Sequence, residues 1–173
     1  ILYRGRKFLT KYIMSEKDVN VETKKWLLMA ERFKRASYLC LKDFASYSGV
    51  SAQLPGVFLT TFTIELYLKT FLLCKCAIGK SLREIHIELK DKRHNLKSLL
   101  DECIKYDNNF KKLDNIIQKY KKYSFIRYPD ELYKIIYEKG YESSSDYVDD
   151  LINIDDFVKN CISLEIKEIK RSI

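Results

Sequence analysis

The sequence predicts an all-α protein, an up-and-down bundle of four to five helices. Three observations lead there. Apolar residues recur at steps of three and four over long stretches, the period of a helix buried on one side. Only 5 Gly and 2 Pro occur in 173 residues, too few turn-formers for a sandwich of short strands. Hydrophobic residues make up 46% and charged residues 32%, a mix that fills one core and excludes disordered and collagen-like chains.

Residues 1–20 read as a basic amino-terminal arm or short helix, ending in a polar connector from Ser15 to Asn20; residues 21–173 read as the single bundle domain. Arg4, Arg6, Lys7 and Lys11 give the arm its charge, and no secretory signal pattern stands there. The first helix is expected from about Glu22 to Tyr47. Trp26, Ala30, Phe33, Ser37, Cys40 and Phe44 form its apolar stripe, with Lys24, Lys25, Glu31, Lys34 and Lys42 on the other side. Ala30, Ala36 and Ala45 permit close helix approach. The second helix runs from about Pro55, a first-turn proline, to Ala77, with Gly79 as its stop. It is apolar nearly all round, which places it at the bundle centre. Glu65, Lys69 and Lys75 interrupt its apolar run, so no membrane span is expected. Glu65 and Lys69, four residues apart, fit either a structural pair or the lining of a ligand pocket.

Ser81 to Arg93 fits a short helix or an extended insert. A third helix is expected from His94 to Tyr106, with Leu96, Leu99, Leu100, Cys103 and Ile104 inward. Asp107-Asn108-Asn109 breaks it, and helical spacing resumes from Phe110 to Tyr123. Pro129 pushes Tyr128 toward extended geometry. Asp155 is expected to cap a last helix reaching about Lys170, with Phe157, Cys161, Leu164 and Ile169 inward.

The net charge of +8 suggests an anionic partner: nucleic acid, a nucleotide, an acidic protein or a membrane surface. Charge is also uneven along the chain. Lys105, Lys111, Lys112, Lys119, Lys121, Lys122 and Arg127 make a basic run. Glu138, Glu142, Asp146, Asp149, Asp150, Asp155 and Asp156 make an acidic one, able to meet a basic face across a dimer. The 5 cysteines lie in apolar helical contexts without a disulfide framework, which points to reduced thiols in the cytoplasm. With only 2 His and no ligand spacing, neither a metal nor a cofactor is expected.

Three segments, in order, resemble the HEPN superfamily of small helical bundles. Phe62-Thr-Ile-Glu65-Leu66-Tyr-Leu68-Lys69-Thr-Phe-Leu72 resembles its Glu-Leu-x-Leu-Lys-Ala helix. His94-Asn95-Leu96-Lys97-Ser-Leu99-Leu100 is similar to its His-Asp-Leu-x-x-Leu. Arg127-Tyr128-Pro129-Asp130 resembles its Arg-Tyr-Pro segment. With the first helix, whose Ala30, Phe33 and Ala36 pattern fits the family's opening helix, the resemblance covers about Glu22 to Lys170. The resemblance implies a bundle that forms a homodimer, often beside a nucleotidyltransferase partner, in prokaryotic defence or toxin–antitoxin systems. Its ribonuclease members carry Arg followed four to six residues later by His: arginine stabilises phosphate charge and imidazole moves the 2′-hydroxyl proton. This chain has no His after His94, and Tyr133 stands at the related distance from Arg127. Binding of RNA or a nucleotide without strong catalysis is therefore expected first, and the alternatives are a metal-independent RNA endonuclease with a non-standard active site and a non-catalytic interaction module partnering a nucleotidyltransferase. The candidate phosphate contacts are Arg127 and Tyr128, His94 and Asn95 at a helix start, and Lys121 and Lys122. The last two lie in Tyr120-Lys-Lys-Tyr123, where aromatic and basic residues combine as in sites that stack bases. His94 and Asn95 equally fit plain helix-start roles, and Arg127 equally fits pairing with Asp130 or Glu131.

Overall fold

The computed structural model describes residues 13–46, 53–92, 94–121, 123 and 144–171. They are all-α: α1 (Glu16–Ser46), α2 (Gln53–Cys76), α3 (Leu82–Asp91), α4 (Leu96–Tyr106), a 3-10 turn (Asn108–Leu113), α5 (Asp114–Tyr120) and α6 (Ser144–Arg171). No strand occurs among them; a lone antiparallel bridge joins Ile13 to Ser81.

α1 begins at Glu16, so the expected polar connector is its first turn. The reason is local. Ser15 stands before the helix, and its hydroxyl and backbone N–H both donate to the Asp18 carboxylate, which faces the Asp18 N–H back toward the hydroxyl. Ser81 does the same for α3, where its side chain accepts from the Glu84 N–H and Glu84 accepts from the Ser81 N–H. This capping box settles the segment after Ser81 as a helix. The two helix starts are tied together: the Met14 N–H donates to the Lys80 carbonyl at 2.8 Å, and the Gly79 N–H donates to the Met14 carbonyl at 3.3 Å. Gly79 sits at φ +79°, a left-handed turn that only glycine adopts freely, and ends α2 there.

α2 is the central helix. Val57, Ile64, Tyr67, Leu68, Phe71, Leu72, Leu73 and Cys74 are all buried, pointing round the whole circumference. It packs on α1, α3, α4 and α6, with the α1 pairing the most extensive. By length and composition Pro55–Cys76 is apolar enough to cross a bilayer, and most of it is buried among the other helices.

The α1–α2 seam is closest at Gly56. The Ser37 hydroxyl donates to the Gly56 carbonyl at 2.8 Å and lies 2.6 Å from the Thr60 hydroxyl, which bonds the same carbonyl at 3.0 Å. A Cβ on Gly56 would stand 2.8 Å from Leu41 Cγ and Cδ2. Leu41 is fully buried, so it has little room to yield. The close approach at this point rests on Gly56 and Ser37.

The remaining core is aromatic. Phe110 enters from the 3-10 turn, its ring 4.3 Å from Phe71 and 5.0 Å from Phe157 between centroids. The expected helix from Phe110 is thus a 3-10 turn followed by a short α-helix. Asp107 caps the turn by accepting from the Asn109 N–H at 2.9 Å. The last helix starts at Ser144, not at Asp155. Tyr147, Leu151, Ile154, Val158 and Ile162 are buried at helical spacing straight through that position. Asp155 is itself buried inside α6, so it is no cap.

Gly56→Val should lower the free energy of unfolding by about 2 kcal/mol or more, because the added branch meets packed Leu41 and Cys40. Urea denaturation followed by circular dichroism measures this.

Candidate functional site

Two polar clusters break the apolar interior, and both are built on α2. The first joins α2 to α4. Glu65 is 6% exposed, yet both of its carboxylate oxygens are engaged. Oε1 accepts from Lys69 Nζ at 2.5 Å, and Oε2 lies 2.9 Å from His94 Nδ1. A carboxylate oxygen accepts, so Nδ1 is the donor in this contact, and the bond fixes the orientation of the ring. The His94 side chain is 44% exposed. Beside it stands Phe62, ring centroid 6.1 Å away and edge-on, which in turn stacks on Phe33 at 6.0 Å. Phe62 is itself 44% exposed. The corner thus presents an oriented imidazole next to an accessible aromatic ring, over a buried Glu–Lys pair.

Asn95 follows as the cap of α4, its side-chain oxygen accepting from the Ser98 N–H at 3.0 Å. That oxygen is committed to the helix start, so Asn95 serves the helix before any ligand. Lys121 is exposed at the carboxyl end of α5, on a different element from His94. Lys122, Arg127 and Tyr128 lie outside the described residues. Tyr120 and Tyr123, whose stretch has the composition of a base-stacking site or of an ordinary exposed helix, are buried instead. Their rings pack inward, with Tyr120 5.8 Å from Tyr147 and the Tyr123 hydroxyl 3.2 Å from that of Tyr147. That overturns the stacking role for this pair.

The second cluster joins α1, α2 and α6 and was not legible as a site. Asp155 accepts from Tyr67 of α2, from Lys34 of α1, and from Lys159 of its own helix at 2.8 Å. Lys159 also bridges to Glu31 of α1. Two carboxylates and two ammonium groups neutralise one another there. Burial alone would raise the Asp155 pKa, but the hydrogen bonds from Lys159, Lys34 and Tyr67 outweigh it and hold the carboxyl below the usual range. Burial and the Asp155 carboxylate together push the Tyr67 phenol well above its ordinary value, so it remains a donor.

A third contact joins the basic and acidic runs of the sequence within one chain. Lys119 of α5 meets Asp150 of α6 at 2.9 Å, and its ammonium lies 4.4 Å from the Tyr147 ring centroid. Part of the charge asymmetry is thereby used internally.

The five cysteines are free thiols. Burial raises the pKa of Cys103 and of Cys76, which disfavours the reactive thiolate. Among the described residues no group of three His, Cys, Asp or Glu could hold a metal ion. No family model, no curated protein and no solved structure matches this chain.

The depressed Asp155 pKa fixes the sign of a pH effect. The stability it contributes is present above the unfolded carboxyl pKa of about 3.9 and is lost as pH falls through the lower folded value. Asp155→Asn should therefore destabilise the protein at pH 7 by about 3 kcal/mol, leaving two lysines without their buried acceptor. Its stability should also fall less steeply below pH 4 than that of the wild type. Urea titrations across that range measure both.

Proposed function

We propose that this protein is a HEPN-like bundle that binds RNA or a nucleotide without strong catalysis, in the setting of prokaryotic defence or a toxin–antitoxin pair. The observation that carries this reading is the corner at the start of α4. His94 is anchored through Nδ1 by buried Glu65 and stays half-exposed beside the accessible ring of Phe62. An imidazole and a neighbouring aromatic face suit a phosphate and its base. The excess of 32 Lys and Arg over 24 Asp and Glu supplies the long-range attraction. In this reading Arg127 and Tyr128 extend the phosphate contacts, with Lys121 and Lys122 adding charge. The protein works as a cytoplasmic homodimer, and a nucleotidyltransferase is the partner that fits the resemblance.

The His94–Glu65 pair also favours a second reading, an RNA endonuclease with a non-standard site. A carboxylate that orients an imidazole is the arrangement a general base uses. No arginine at the family's spacing accompanies it, which is why binding ranks first.

One gel separates the two. End-labelled single-stranded RNA with purified protein in EDTA should give a salt-sensitive shift and no cleavage. His94→Ala should weaken the shift several-fold while circular dichroism keeps the wild-type helix content, which separates lost binding from lost folding. Arg127→Ala should weaken it as well. Cleavage in EDTA that disappears in His94→Ala would replace the binding reading with the nuclease one. No shift at low salt would remove both.

A further inference from the structure

The structure divides the charges of α1 in a way the sequence does not show. Its inward acids are spent. Glu31 bridges to Lys159 across to α6. Glu22 accepts from the Trp26 indole N–H at 3.1 Å and from Lys25 at 3.1 Å. Asp18 is engaged in the helix cap. Lys34 is drawn inward to Asp155. What remains on the outside is Lys17, Lys24, Lys25, Arg32, Arg35 and Lys42, all exposed; of the acids between Lys17 and Lys42, Glu31 keeps 38% of its side chain exposed but is paired with Lys159. At 100° per residue these six fall within roughly one-third of the helix circumference. Among the described residues, Lys17, Lys24, Arg32, Arg35 and Lys42 form no ion pair; Lys42 lies over the Tyr38 ring.

The row is long. Twenty-five residues separate Lys17 from Lys42, about 38 Å at 1.5 Å per residue. Its length decides what it can hold. A single nucleotide could occupy only a short part of it. A second copy's α1 would present the same cations and be repelled. The exposed apolar side chains on this face, Val21, Leu28 and Leu39, are separated by Lys24 and Lys25 and then by Arg32 and Arg35, with Met29 and Tyr38 to either side, so no continuous apolar ridge offers itself to a partner helix or a lipid surface. A single strand is flexible enough to follow a row of this length along one helix face.

Resting on the RNA reading above, we infer that the outer face of α1 is a binding track for single-stranded RNA. The phosphates follow Lys17, Lys24, Arg32, Arg35 and Lys42 in turn. The track is distinct from the His94 corner and would hold the strand whichever way that corner acts.

The test is a salt titration of a fluorescein-labelled 20-nucleotide oligo(U) against the full chain and two charge-reversal variants, R32E/R35E and K17E/K24E. All four side chains are exposed and outside ion pairs, so both variants should keep the wild-type circular dichroism. The five phosphate contacts of the track should contribute about −3.5 to the slope of log K against log salt. Each variant should lose about tenfold or more in affinity near 50 mM salt, its slope shallower by about 1.4. If wild type and both variants bind alike, RNA binding stands and the α1 track is wrong. If wild type does not bind oligo(U) even at low salt, the RNA reading itself fails and the track with it. If polyglutamate, or vesicles of phosphatidylserine and phosphatidylcholine, bind the wild type as tightly and with the same sensitivity to both variants, the face belongs to an acidic protein or a membrane and the inference is overturned.

Discussion

The buried carboxylate of Asp155 decides how the three long helices sit against one another. Taking a carboxylate out of water costs several kcal/mol unless donors replace the lost water. Here they come from all three helices: Tyr67 from α2, Lys34 from α1 and Lys159 from α6. Sliding any one helix by a turn, about 5.4 Å, would strand a buried charge. Apolar packing at Tyr67, Ile154 and Val158 supplies bulk stabilisation but tolerates many registers. The charge cluster selects one of them. Glu65 plays a similar part between α2 and α4 through Lys69 and His94, with the difference that His94 reaches the surface.

The sequence showed the helical elements well and the junctions poorly. α2 was legible because it is apolar all round, and such a helix has only one place in a bundle. α4 was legible from its start at His94-Asn95 and its leucine spacing. The start of α6 was missed because Asp155 has the chemistry of a helix cap, and an acidic residue within a helix is ordinarily placed on the solvent side. The signal against that reading was present: Tyr147, Leu151, Ile154 and Val158 keep helical spacing across it. Ser15 and Asp18 likewise carried a readable capping pattern for α1. What no single helix could show was pairing between elements far apart in sequence. Lys34 and Lys42 look alike on α1, yet one is spent on Asp155 and the other faces solvent. Glu65 and Lys69 were visible as a pair, but the third member, His94, comes from 29 residues away. Tyr120 and Tyr123 have the composition of a stacking platform; packing against Tyr147 turns them inward.

Fold and surface charge are therefore one problem in this molecule. Glu31 and Lys34 of α1 pair with Lys159 and Asp155 of α6, and Glu22 is held by Trp26 and Lys25, which leaves the outer cations without these acids as partners. A basic surface arises here from helix pairing as much as from composition. The excess of +8 is spread over the whole chain. Its concentration along one helix face depends on Glu31 being held by Lys159 and Glu22 by Trp26 and Lys25.

The most direct measurement is a double-mutant cycle between Lys34 and Asp155, using Lys34→Met, Asp155→Asn and the double variant, with unfolding free energies from urea denaturation at pH 7. If the buried carboxylate holds α1 to α6 through Lys34, the double variant should be less destabilised than the sum of the single ones, by about 1 kcal/mol or more. Additivity within about 0.3 kcal/mol would show that the two residues act independently and that the junction does not set the arrangement of the helices.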